Sequence, residues 1–254
     1  MRIKAGDIMT EDLTTFSPED RVNSVLEEMN KFSFDVAPIE ISGHIRKYVR
    51  RKDLKGVSET DRIIGHAEPL EEDDLLGSEV PVIDPSPGSR DLLNIMDERD
   101  KRFAFILRDG IEGIITHADL NSVQAGVPLY QLISEYEGAA CDLIYDEIEH
   151  GRWLSHLTDN EQGEIEDIYQ RQVDQDADLR LVDCLNTRQI NEIVREYELV
   201  DRLGFEEDQA KEVLDDIEGL RNDVMHQRSV VGKHTFSEFV EIVSDLKLVN
   251  QALK

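Results

Sequence analysis

The stretch "LRNDVMH", residues 220–226, brings Arg221, Asn222 and His226 within six residues near the end of an acidic helix. Histidine is the side chain whose charge changes near neutrality, and arginine keeps a planar cationic fork, so these types suit proton transfer beside an anion. They equally suit a helix with polar edges, in which Arg221 pairs with Glu218 one turn earlier and His226 sits where a helix C-terminus welcomes a cation. A second concentration of charge is Arg46, Lys47, Arg50, Arg51 and Lys52, the densest basic cluster in the chain. Five cations so close can neutralise ligand phosphates or bind RNA. The alternative is that they pair with acidic neighbours such as the "EPLEEDD" run at 68–74, which otherwise reads as a loop between repeats.

Other chemistries lack their residues. Cys141 and Cys184 are too few for a disulfide framework and read as small core residues. No Cys/His set has metal-ligand spacing, and no phosphate loop or nucleophile elbow occurs, so neither a metal nor a catalytic cofactor is expected.

The elements that must position these residues come in two styles. Residues 7–54 and 80–120 repeat one pattern. Each has a Ser-Pro pair, Ser17-Pro18 and Ser86-Pro87, that reads as a helix start, because serine caps and proline suits a first turn. A short amphipathic helix follows, carried by Val22, Val25, Leu26 and Met29 in one copy and by Leu92, Ile95 and Met96 in the other. Two short apolar strands come next, then an Asp-Leu pair that starts another helix, at Asp53-Leu54 and Asp119-Leu120.

The doubled order, the "DIMT" opening and the closing Gly-x-x-Thr-x-x-Asp of "GIITHADL" resemble a tandem pair of CBS domains, or Bateman module, over residues 1–125, with repeats at about 1–60 and 61–125. The resemblance implies an adenosyl ligand such as AMP, ATP or S-adenosylmethionine. Carried over, Gly113 lets the backbone approach the ligand, Thr116 offers its hydroxyl and helix-start amides to phosphate, and Asp119 accepts from the ribose hydroxyls. The alternative is that Thr116 only caps a helix and Asp119 only occupies its favourable first turn. The first repeat departs from the pattern: in "KYVRRKDL", Lys47 replaces the glycine and Arg50 the threonine, while Asp53 remains. A bulky residue at the glycine position restricts backbone approach there.

From about Gly126 onward, helical periodicity replaces strand patterns. Leu129, Leu132, Ile133, Tyr136, Ala140, Leu143 and Ile144 form one stripe; further helices are marked by Ile165, Ile168 and Tyr169, by Ile190, Ile193, Val194 and Tyr197, and by a run from Glu207. The last opens at "TFSE", a capping box of Thr235 and Glu238. The fold class expected is therefore an α+β tandem CBS pair followed by an all-α helical bundle at 126–254 that buries its remaining apolar surface in a homodimer.

In the fourth helix the stripe runs through Ala210, Val213, Leu214, Ile217, Leu220 and Val224, and Arg221 falls about 40° from its centre at 100° per residue. His226 lies on the opposite side unless the helix ends or bends near 225, or a partner subunit supplies the second half. Arg221, Asn222 and His226 in a helical bundle resemble the Arg-x4-6-His motif of HEPN domains; Arg228 to His234 offers a rival spacing. The resemblance implies a metal-independent RNA-cutting site with His226 as acid or base, Arg221 stabilising charge on phosphorus and Asn222 orienting either. It equally covers inactive binding or dimerisation units.

The net charge of −28 arises from 56 acidic against 28 basic residues, ten of them lysine. Such a surface repels nucleic acid at ordinary salt. Abundant Asp and Glu with scarce Lys resembles proteins of salt-accumulating haloarchaea, whose cytoplasm shortens the Debye length to about 3 Å. No apolar run reaches the roughly 20 residues of a membrane span, and "MRIKAGDIMT" lacks a signal core. The expectation is a cytoplasmic regulator in which an adenosyl-sensing CBS pair controls a helical domain that cuts or binds RNA. Its alternative is a noncatalytic sensor whose helical domain dimerises or docks a protein.

Overall fold

The structure, a computed structural model, describes residues 3–84, 90–149, 151–175, 178–226, 229, 231 and 233–254. The chain forms two compact units: one of residues 3–82 and 91–119, the other of Leu120–Lys254 with residues 83, 84 and 90.

In the first unit, α1 (Ala5–Ile8) and α2 (Val22–Lys31) precede the hairpin of β1 (Val36–Ile41) and β2 (His44–Arg50). After β3 (Glu68–Pro69) and β4 (Leu75–Gly77), α3 (Leu92–Glu98) precedes the hairpin of β5 (Phe103–Leu107) and β6 (Ile111–Thr116). The expected apolar faces form: α2 buries Val22, Val25 and Met29, and α3 buries Leu92, Leu93, Ile95 and Met96. The first hairpin turns on Ser42 and Gly43, both at positive φ, as a tight primed turn requires.

Two three-stranded sheets result, ordered β1-β2-β3 and β4-β5-β6. Each repeat takes its edge from the segment that leads into the other. β3, at the start of the second repeat, runs antiparallel to β2, with Tyr48 opposite Glu68 and Lys47 opposite Pro69. Reciprocally, Thr10 bridges Ile114 of β6 by two backbone hydrogen bonds of 2.9 and 3.1 Å. Tyr48 of the first repeat then packs with Phe103, Phe105 and Ile114 of the second in one apolar cluster, its ring edge-on to Phe103 at 5.1 Å.

Three expectations change. Ser17-Pro18 does not open α2: the Ser17 N–H donates to the Asp20 carboxylate (2.7 Å) and the Asp20 N–H donates to the Ser17 carbonyl (3.0 Å), closing a turn before the helix begins at Val22. Ser86 and Pro87 lie outside the described residues, and α3 is capped instead by Asp91, which accepts from the Asn94 N–H at 3.1 Å. The acidic run at 68–74 is not a bare connection, since it carries β3 and the 3-10 turn Glu72–Asp74. The two Asp-Leu pairs sit in single 3-10 turns, Arg51–Leu54 and Asp119–Asn121, rather than starting α-helices.

The second unit contains α4 (Val123–Glu147), α5 (Asp159–Val173), α6 (Thr187–Glu196), α7 (Glu207–Met225) and α8 (Phe236–Ala252). Ser122 caps α4 by accepting from the Ala125 N–H (3.2 Å), so helix begins just before Gly126. The Thr235/Glu238 capping box forms as expected. Buried polar side chains tie the helices together. The Tyr136 hydroxyl of α4 donates to Asn191 of α6, whose amide donates to the Leu214 carbonyl of α7; Asn250 of α8 donates to the Leu132 carbonyl of α4. Such bonds satisfy groups that would otherwise be costly inside a core. On α7 the stripe does not continue through Val224, which is half-buried; Asp223 is the buried residue, at 2 % exposure, because Lys233 lies 3.1 Å from its carboxylate.

The exchanged edge at Thr10 depends on Gly113. A Cβ there would stand 2.7 Å from the Thr10 carbonyl oxygen and 2.8 Å from Met9 Sδ, whereas one on Gly126 meets nothing within 4 Å. Gly113→Ala is predicted to destabilise by about 1–3 kcal/mol, because backbone must move to admit the methyl. Gly126→Ala, inside α4, is predicted to stabilise by roughly 0.5–1 kcal/mol. Urea unfolding of the two variants checks this; equal effects would contradict it.

Candidate functional sites

At the end of β6 the strand runs out at Thr116, and the next turn returns the Asp119 carboxylate to it. Asp119 Oδ2 accepts from the Thr116 N–H (2.7 Å) and from the Thr116 hydroxyl (2.8 Å). Across the exchanged edge, the Thr10 hydroxyl donates to Asp119 Oδ1 at a long 3.4 Å. Two neutral hydroxyls thus hold one carboxylate, whose oxygens keep lone pairs free, since an ionised carboxylate has about four acceptor positions. Gly113 sits three residues before Thr116, and the space its missing Cβ leaves is taken by Met9 and Thr10.

The first repeat builds the same turn from different chemistry. Arg50, the last residue of β2, donates through Nε to Asp53 Oδ2 (2.6 Å) and through Nη2 to Glu68 of β3. The other Glu68 oxygen accepts from the Tyr48 hydroxyl at 2.8 Å. The hydrogen bond to Asp53 raises the Arg50 pKa, and burial with the Glu68 bond raises that of Tyr48. Part of the basic cluster therefore pairs internally: Arg50 with Asp53 and Glu68, and Arg51 with Asp35. Nearby, His117 is pushed below the usual histidine range by burial.

An open cleft of about 800 Å³ lies elsewhere in this unit, at the hairpin ends, with Glu11, Asp12, Glu40 and Glu112 outnumbering His44 and Arg46. None of Gly113, Thr116, Asp119, Arg50 or Asp53 lines it.

In the helical unit α7 is regular to Met225, and His226 is its C-cap, donating its N–H to the Asn222 carbonyl (3.1 Å). Five helical residues turn His226 about 140° around the axis from Arg221. Arg221 points toward α4: its Nε lies 3.8 Å from Glu137 Oε1, and its Nη1 donates to Asn222 Oδ1 at 3.3 Å. The partner is thus Glu137 rather than Glu218. The same Glu137 oxygen accepts from the Thr187 hydroxyl of α6. The helix brings Arg221 and Asn222 together and leaves His226 apart and exposed. Of the rival pair, Arg228 lies outside the described residues. A smaller cleft of about 350 Å³ is lined by Asn121, Tyr130, Asp223 and Met225 among others.

Arg50 pairs with Glu68, the first residue of the acidic run expected as a partner of the basic cluster. Thr10, Glu137 and Asp223 were not singled out from the sequence, because each reaches its partner across a strand edge or between elements and no local spacing marks it. Among the described residues no group of three or more His, Cys, Asp and Glu can hold a metal ion, and no helix is long and apolar enough to cross a membrane.

The CBS domain family model matches residues 5–59, which span α1 to the end of the first repeat. An α/β region of CBS type therefore leads into a largely helical part. No curated protein matches the chain. Among solved structures, an uncharacterised conserved protein from Pyrococcus horikoshii aligns at 19% identity and a TM-score of 0.40, covering 47% of this chain and 90% of that one. A conserved CBS domain protein from Thermoplasma acidophilum aligns at 15% and 0.40, covering 47% and 68%. The cytosolic domain of the Mg2+ channel MgtE in complex with ATP aligns at 15% and 0.37, covering 46% and 47%.

Proposed function

We propose that the protein is a cytoplasmic, adenine-nucleotide-responsive regulator: a CBS pair binds the ligand at the end of β6, and the helical unit carries the output in a homodimer. The observation that carries this reading is the Asp119 carboxylate, held by the hydroxyls of Thr116 and Thr10 with acceptor positions to spare. Asp119 would take the ribose hydroxyls, Thr116 with the turn amides would take phosphate, and Gly113 would serve the site by admitting the Met9–Thr10 edge.

The 3-10 turn Asp119–Asn121 would carry the signal from ligand to output, with the Asp119 carboxylate at one end and Asn121 at the other. The Asn121 side chain grips the backbone of Val231 at two points, accepting from its N–H (2.9 Å) and donating to its carbonyl (3.2 Å). Val231 belongs to the connection between α7 and α8, just beyond His226. Ligand binding that prefers one setting of this turn would bias that connection through differential affinity.

For the output, the geometry favours docking or dimerisation over RNA cutting, because Arg221 is engaged by Glu137 while His226 faces away from it. The RNA-cutting reading needs a second protomer to bring a His226 to an Arg221. Its support is that α7 ends where the motif requires, with both side chains partly or fully exposed.

Two outcomes follow. ATP, AMP or S-adenosylmethionine at 100 times its Kd should stabilise the protein by about 2.7 kcal/mol, read as a rise in Tm in concentrated KCl, and Asp119→Ala should remove that rise. A rise that survives Asp119→Ala would sink the ligand assignment. In metal-free RNA cleavage at high salt, wild type, Arg221→Ala and His226→Ala should be indistinguishable. Cleavage by wild type that both variants lose would establish the nuclease reading instead.

A further inference from the structure

The two repeats align around their carboxylates in sequence, with one offset throughout: Tyr48, Arg50 and Asp53 correspond to Ile114, Thr116 and Asp119. The exchanged edges complete the equivalence. Thr10 is the register partner of Ile114, and Glu68 is the register partner of Tyr48. Thr10, Thr116 and Asp119 in one repeat therefore occupy the positions of Glu68, Arg50 and Asp53 in the other.

The two trios differ in what they leave for a ligand. In the second repeat the donors to Asp119 are small and neutral, and the Thr10 bond is long. A diol can add its two donors without displacing a cation. In the first repeat a guanidinium lies between two carboxylates and makes a charge-assisted bond to each. Such bonds are roughly twice as strong as neutral ones. A ribose reaching Asp53 would have to share that carboxylate with a guanidinium that already holds Oδ2 and ties it to Glu68. Arg50 is not free to take a phosphate, because both of its carboxylate partners already engage it.

We infer that Arg50 and Glu68 close the first repeat's site with an internal ion pair, so that the chain takes one adenine nucleotide, at Thr116 and Asp119. These two residues then set the stoichiometry, and Glu68 does so from the segment that leads into the other repeat. The inference rests on the nucleotide reading for the second repeat, and the test separates the two.

The experiment is isothermal titration of the full chain with ATP in concentrated KCl. Wild type should bind one ATP per chain, Asp53→Ala should leave that unchanged, and Asp119→Ala should abolish it. Glu68→Thr combined with Arg50→Thr, which copies the second repeat's trio, should raise the stoichiometry to two. Glu68→Gln with Arg50→Gln removes the ion pair with side chains of nearly native size and provides a second opened site should the threonine variant melt. Two ATP per wild-type chain, or a site lost in Asp53→Ala, overturns the inference, as does failure of both opened variants to gain a site. If wild type binds none while an opened variant binds one, the lock stands and the assignment to Asp119 falls.

Discussion

The structure of the first unit depends on an exchange of strand edges between its two repeats. Thr10 leaves the start of the first repeat to pair with Ile114, and Glu68 leaves the start of the second to pair with Tyr48. Buried strand edges must find partners, because unpaired backbone groups inside a protein cost about as much as a lost hydrogen bond. Each repeat thus satisfies the other, and neither sheet is complete alone. Gly113 is the point where this arrangement is most demanding, since a methyl group there would collide with the arriving backbone.

The exchange also decides the chemistry. Whatever residue arrives on the borrowed edge stands beside the carboxylate that ends the host repeat, so each candidate site is built by both repeats. A threonine arrives at Asp119 and a glutamate arrives near Asp53, so the two turns differ in what holds their carboxylates: neutral hydroxyls in one, a guanidinium shared with Glu68 in the other.

Local periodicity made much of this legible. The hairpins, the apolar faces of α2 and α3, the five long helices and the capping box at Thr235 all follow patterns spanning a few residues, and so does the three-residue spacing of Thr116 and Asp119. What escaped lies at long range. Thr10 is 109 residues from Asp119. The pairing of the basic cluster with the acidic run at 68–74 was legible, but that Glu68 is the member that meets Arg50 depends on β3 turning back onto β2. Asp223 escaped for a related reason: the helical stripe points to Val224, and only the loop carrying Lys233 makes a buried carboxylate tolerable. The Arg221 motif shows the reverse, a local pattern whose members the regular helix turns apart.

Under the proposal, ligand acts at the turn of the second repeat and leaves its counterpart in the first untouched. Hydrogen–deuterium exchange with and without saturating ATP should show slowed amide exchange at residues 114–122, which hold Thr116, Asp119 and Asn121, and no change at residues 48–54, which hold Arg50 and Asp53. Protection at 48–54, or none at 114–122 despite binding, would overturn the proposal.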